Sequence, residues 1–278
     1  MPYQQEVSRA HPSCILFLLD QSGSMSDTFG ASEQGTKAEG VATAVNRLIQ
    51  TLVSKCAKDE GVRDYYTVGA IGYGGEVGSA FGGELAGQGL VPISRIADNP
   101  LRVERRTKVT PDGVGGLVEE SIVFPVWFDA RTNSGTPMRA AFYQAHEMLS
   151  EWVSAHPESF PPIVINITDG ESTDGDPSEL AADVARLATS DGNTLIFNIH
   201  CSSLRNPPIE FPDDEVPLPD HFASLLYQMS SVLPPHLREA AGRMGYRVSE
   251  TTRGFVFNAD LTAVIRAIDI GTRPTNLR

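Results

Sequence analysis

Cysteine is nearly absent. The three in 278 residues, Cys14, Cys56 and Cys201, are odd in number, far apart and without a C-x-x-C pair, so neither a disulfide framework nor a cysteine zinc site is indicated. Long apolar runs are missing as well. No stretch reaches the length of a signal-peptide core or a membrane span, and the first dozen residues are polar and include Pro2, His11 and Pro12. The expectation is a protein of the reducing cytoplasm that does not engage membranes. Positive charge is in deficit, with 22 Lys and Arg against 35 Asp and Glu and a net charge of -13, which opposes binding to nucleic-acid phosphates or anionic lipid. The one basic cluster, Arg102, Arg105, Arg106 and Lys108, is diluted by Glu104 and reads as a solvated face. The histidines form neither H-E-x-x-H nor a nucleophilic triad, the glycines after Gly72 form no G-x-G-x-x-G, and Cys201 reads as a buried small apolar residue.

What is present is an alternation of apolar strands and amphipathic helices. Ile15 to Leu19 is a buried strand, and Val41, Ala44, Val45, Leu48, Ile49, Leu52 and Val53 mark a helix from about Thr36 to Cys56. Tyr65 to Tyr73, Ser121 to Phe128, Ile163 to Ile167, Leu195 to His200 and Gly254 to Phe257 read as further strands. Pro137 at a first helical position opens a helix to about Ser154, and Asp176-Pro177-Ser178-Glu179 has the form of a capping box before a helix to about Thr189. Further helices are expected over about 221–231 and 235–244, and after Asp260 through Ile268. The pattern predicts one α/β domain with its core over about 13–270. It is a three-layer sandwich of a mainly parallel sheet flanked by helices, with one antiparallel edge strand. Glycine- and proline-rich insertions fall at about 74–120 and 202–220.

Chemistry concentrates in three polar loops. Asp20-Gln21-Ser22-Gly23-Ser24 follows the first strand, Thr136 lies in Asn133-Ser134-Gly135-Thr136-Pro137, and Asp169 follows Ile167-Thr168. Carboxylates and small hydroxyls suit a hard divalent cation that keeps several waters. Each element has an ordinary reading: Ser22-Gly23-Ser24 as a turn, Thr136 as a helix cap, Asp169 as a loop opener. Glu171, Asp174 and Asp176 read as solvated or capping residues, since the Asp169 to Asp176 stretch lacks the calcium-loop glycine.

Together the three segments resemble the metal-ion-dependent adhesion site of the von Willebrand factor A domain family, Asp-x-Ser-x-Ser with a distant Thr and a distant Asp. The resemblance runs from about Cys14 to Asp260. It implies Ser22, Ser24 and Thr136 as direct ligands, Asp20 and Asp169 acting largely through water, and Mg²⁺ or Mn²⁺ as the ion, with Ca²⁺ a further candidate. It also implies a partner protein whose Asp or Glu completes the coordination. The short form is similar to bacterial stand-alone members of stress-response and tellurium-resistance operons, which implies a kinase, a phosphatase or an AAA+ ATPase as partner. The expectation is a non-enzymatic adaptor. Two alternatives stand beside it: a metal-dependent phosphoryl-transfer enzyme using Asp20, against which Ser22 occupies the acid/base position and no early-loop Lys matches a phosphate clamp, and a metal-independent scaffold.

Overall fold

A computed structural model of the chain describes residues 2–28, 35–111, 117–202 and 207–272. Its centre is an eight-stranded mixed sheet. The parallel strands are β1 (Ser13–Asp20), β2 (Tyr66–Tyr73), β7 (Ile163–Thr168), β8 (Leu195–Cys201) and β10 (Phe255–Ala259), in the order β2-β1-β7-β8-β10. Short antiparallel strands finish both edges. Strands β3 (Val77–Ser79) and β4 (Leu90–Pro92) pair with β2, and β9 (Ile209–Glu210) pairs with β10. The single antiparallel edge strand expected from the sequence is therefore too few. Both insertions contribute edge segments, which shorten and end the hydrogen-bonding rims of the sheet.

Helices cover both faces because the central strands are apolar at consecutive positions. Along β1, Ile15, Phe17 and Leu19 enter one core and Cys14, Leu16 and Leu18 the other, as a side-chain period of two requires. The first core is closed by α1 (Lys37–Cys56), α2 (Ile93–Asp98), α6 (Pro235–Arg243) and α7 (Leu261–Gly271). The second is closed by α3 (Met138–Ala155), α4 (Ser178–Arg186) and α5 (His221–Met229). Burying each Leu, Ile or Phe of β1 is worth about 1.5–3 kcal/mol, and all eight positions of that strand are buried. Among the described residues no helix is long and apolar enough to cross a membrane.

The first insertion also carries a hairpin outside the main sheet, β5 (Arg102–Pro111) with β6 (Leu117–Val126). The apolar run expected at Ser121 to Phe128 starts and stops earlier as a strand, because Trp127 and Phe128 leave the ladder for the core. There the Asn46 carboxamide accepts from the Trp127 N–H at 2.8 Å and donates to the Phe128 carbonyl at 3.0 Å. Arg102 and Arg106 both pair with Glu104, and Arg106 lies over the Phe124 ring at 3.7 Å. Arg102 also pairs with Asp129, so two carboxylates face these two arginines; the Lys108 side chain and residues 112–116 and 203–206 lie outside the described residues.

Two helix starts differ from expectation. The Asp176 box does not form: its Oδ1 accepts from the Ser178 N–H at 2.8 Å, α4 begins one residue after Pro177, and it stops at Arg186, where a hairpin of Ala188–Thr189 with Gly192–Asn193 takes over. Nor does Thr136 cap α3. That helix starts at Met138, and its free N–H groups on Arg139 and Ala140 donate to the Asp174 carboxylate at 3.0 and 2.8 Å.

The loop after β1 packs against the end of β2, where a Cβ on Gly74 would stand 2.8 Å from the Gln21 carbonyl oxygen. Gly74→Ala is expected to cost about 1–3 kcal/mol in urea unfolding. Gly78→Ala, with open space around its Cβ, is expected to be close to neutral.

Candidate metal centre

Parallel pairing sets the site. Register aligns Asp20 with Tyr73, Leu19 with Ile167 and His200 with Thr168, so β1, β7 and β8 all deliver their C-terminal loops to one rim, the usual place for ligands on such sheets. The loops are then stitched together. The Asn133 N–H donates to the Gln21 carbonyl at 2.6 Å, and Thr136 and Thr173 exchange two hydrogen bonds, Thr136 N–H to Thr173 Oγ1 at 2.8 Å and Thr173 N–H to the Thr136 carbonyl at 2.9 Å.

Four of the five expected residues meet in one hydrogen-bonded constellation. Ser24 Oγ donates to Asp169 Oδ1 at 2.7 Å, and Ser22 Oγ lies 3.1 Å from Ser24 Oγ and 3.4 Å from Asp169 Oδ1. Asp20 stands beneath them, 3% exposed, its Oδ1 accepting from the Ser22 N–H at 2.8 Å and its Oδ2 from Thr168 Oγ1 at 2.6 Å. Burial pushes its carboxyl above the usual carboxylate range, and the Thr168 and Ser22 hydrogen bonds oppose that shift. Thr136 is buried at the same rim, its Oγ1 3.9 Å from where a Cβ on Gly170 would stand. Ser24 is exposed, so the constellation opens to solvent on that side.

The donor set fits a hard cation. Among the described residues no three His, Cys, Asp or Glu side chains gather as a metal cluster, so an ion here relies on hydroxyls and water as well as carboxylate. Oxygens at right angles about an ion with bonds of about 2.1 Å lie about 3.0 Å apart, and the three separations among Ser22 Oγ, Ser24 Oγ and Asp169 Oδ1 bracket that value.

The sequence reading missed Lys37. Its ammonium is ion-paired and hydrogen-bonded to Asp169 Oδ2, with both side chains buried, and it lies 3.8 Å from the exposed Asp27. The sequence reading looked for an early-loop lysine matching a phosphate clamp and found none; Lys37 stands instead at the start of α1. The backbone brings it there: the Lys37 N–H donates to the Asp27 carbonyl at 2.8 Å, and Thr36 caps α1 in a reciprocal box with Glu39. Two signals mark it in the sequence. Lys37 is in phase with Val41, Val45 and Ile49 on the buried stripe, and it places a cation at a helix N-terminus, where the dipole disfavours one. Thr168 was also missed, since a Thr ending an apolar strand looks like part of that strand.

Neighbouring groups have structural roles. His200 is half-buried, and desolvation pushes its imidazole down to about 4; its Nδ1 accepts from the Asn258 N–H at 3.2 Å and its ring stacks on Phe257 at 4.5 Å. Cys201 is buried and its thiol is pushed up by desolvation, away from reactive thiolate character.

No protein-family model matches this chain, and no curated protein matches it. Similar solved structures include proximal thread matrix protein 1 from the mussel byssus with a zinc-occupied MIDAS motif, 13% identical, over 94% of this chain and 47% of that one, at a TM-score of 0.48. The PilB minor pilin of Streptococcus sanguinis is 12% identical over 98% of this chain and 62% of its own, at 0.41. The vWF domain of the type V pili tip protein Mfa5 of Porphyromonas gingivalis is 11% identical over 58% and 39%, at 0.35. This chain spans less than two thirds of each of them. At these scores the likeness bears no functional weight.

The support beneath the constellation is testable by stability. Thr168→Val removes the hydroxyl that Asp20 Oδ2 accepts from and is expected to cost about 1–3 kcal/mol in urea unfolding. Ser24→Ala takes a hydroxyl donor from the buried Asp169 side chain and is expected to cost about 1.5–3 kcal/mol in the same measurement.

Proposed function

We propose that this protein is a divalent-cation-dependent protein recognition module. The observation that carries the reading is the triangle of Ser22 Oγ, Ser24 Oγ and Asp169 Oδ1, with mutual separations of 2.7–3.4 Å and an exposed side at Ser24. Ser22, Ser24, Thr136 and Asp169 would hold the ion, and Asp20 would fix the Ser22 backbone beneath it. A bound Mg²⁺ or Mn²⁺ supplies a Lewis-acidic position toward the open side, complementary to an Asp or Glu carboxylate of a partner. Neutral hydroxyls leave that position more electrophilic than a cage of carboxylates would.

Recognition is favoured over catalysis by the state of Asp20. A phosphoryl-transfer mechanism would need this carboxylate as an accessible nucleophile, whereas both its oxygens accept hydrogen bonds and it is almost wholly buried. The finer role, an adaptor for a kinase, a phosphatase or an AAA+ ATPase in a bacterial stress-response or signalling assembly, rests on the motif resemblance alone.

Calorimetric titration with Mn²⁺ is expected to give one site per chain, weakened at least about tenfold in Ser22→Ala/Ser24→Ala. Affinity capture from the native host in Mg²⁺ is expected to lose its acidic partner in EDTA and in the same variant. Equal recovery from all three conditions would sink the metal-bridged reading and leave the metal-independent scaffold.

A further inference from the structure

Among the described residues, Lys37 is the only buried lysine or arginine. Burial strips solvation from its ammonium and the α1 dipole repels it, so its position requires a strong local anion. Asp169 is that anion, and it is also the carboxylate that binds Ser24 through its other oxygen. One carboxylate therefore serves the hydroxyl triangle through Oδ1 and a lysine through Oδ2. A second acid stands within reach of the same ammonium: Asp27 Oδ2 is 3.8 Å from Lys37 Nζ, and the Asp27 side chain is 63% exposed.

We infer that Lys37 is a tethered counter-ion that competes with a divalent cation for Asp169, moves to Asp27 when displaced, and thereby sets the metal affinity of the site. This rests on the metal-site reading above. The chemistry is charge compensation: Asp20 and Asp169 are the site's carboxylates, and the ammonium cancels one of their charges. Lys37 also supplies the positive charge that a buried Asp169 needs in the absence of metal, so the rim keeps its shape without an ion. Asp27 offers the displaced ammonium a hydrated partner on the loop that already accepts the Lys37 N–H, so the exchange needs side-chain rotation and no refolding of α1.

The test is Mn²⁺ titration by calorimetry, with thermal melts in EDTA and in Mn²⁺, on the full chain and on Lys37→Met, Asp27→Asn and their combination. Lys37→Met keeps the stem and drops the charge; it is expected to bind Mn²⁺ about tenfold or more tightly than the wild type, to melt lower in EDTA, and to gain more on adding Mn²⁺. Asp27→Asn is expected to weaken binding a few-fold, about threefold, in the wild type and to lose most of that effect beside Lys37→Met. Equal or weaker affinity in a folded Lys37→Met, with Ser22→Ala/Ser24→Ala still weakening the wild type, overturns the counter-ion role and leaves the metal-site reading standing. Binding by Lys37→Met but not by the wild type supports the counter-ion role and shows that the ammonium alone fills the natural site. Absence of binding by every variant overturns both. Should Lys37→Met fail to fold, Lys37→Gln takes its place, and an Asp27→Asn effect undiminished in that background overturns the inference.

Discussion

Two carboxylates stand at the C-terminal ends of neighbouring parallel strands with their side chains almost wholly buried, and their charge has to be met from within. Asp20 and Asp169 meet it differently. Asp20 is held by the Ser22 N–H and the Thr168 hydroxyl, a hydrogen-bonded arrangement with no cation in contact among the described residues. Asp169 is held by two serine hydroxyls on one side and the Lys37 ammonium on the other. Hydrogen bonds to an ionised group are worth about 1.5–3 kcal/mol each, and leaving such a group unpartnered costs more. The loop after β1, the start of α1 and the turn after β7 are consequently bound into one unit.

The sheet makes that unit possible. Because β1 is buried on both faces, its register against β2 and β7 is pinned by side chains entering two cores, and a slip by one residue would exchange Phe17 and Leu18 between them. The rim inherits this precision. Loops that would otherwise wander are joined at the Asn133–Gln21 and Thr136–Thr173 bonds, and Asp174 reaches across to close the exposed start of α3. Hydroxyls placed on such a scaffold lose little further entropy when they take up a ligand.

Much of this was legible in the chain. The apolar runs of β1, β7 and β8 and the stripe of α1 announced an α/β sandwich, and an Asp-x-Ser-x-Ser loop directly behind a buried strand announced an oxygen-rich rim. The helix starts were harder. Asp176 and Glu179 have capping spacing, yet Asp176 turns to the Ser178 N–H, while Asp174, thirty-five residues beyond Arg139, caps α3. A local motif carries no information about a partner that arrives from another loop. Lys37 was hidden for the same reason: a lysine beside a helix cap reads as solvated until the fold shows Asp169 behind it. Edge strands of two or three residues, such as β9, owe their form to the neighbour they pair with and leave almost no periodic trace.

Charge counting ties Lys37 to the kind of partner the rim suits. With the ammonium nearby, a dication beside Asp20, Asp169 and Asp27 leaves the cluster neutral before a partner's carboxylate arrives. Without the ammonium, the three aspartates already outweigh the dication, and a partner's acid adds to that excess on a protein whose net charge is -13. Coulombic cost is steep where water is scarce, because the effective dielectric falls well below that of bulk solvent. On the proposed reading, the lysine that would weaken the hold on a cation would also favour the acid that completes the coordination. A site arranged in this way would discriminate by charge at the second step rather than by affinity at the first, in keeping with the proposed reversible recognition of acidic partners rather than permanent capture of metal.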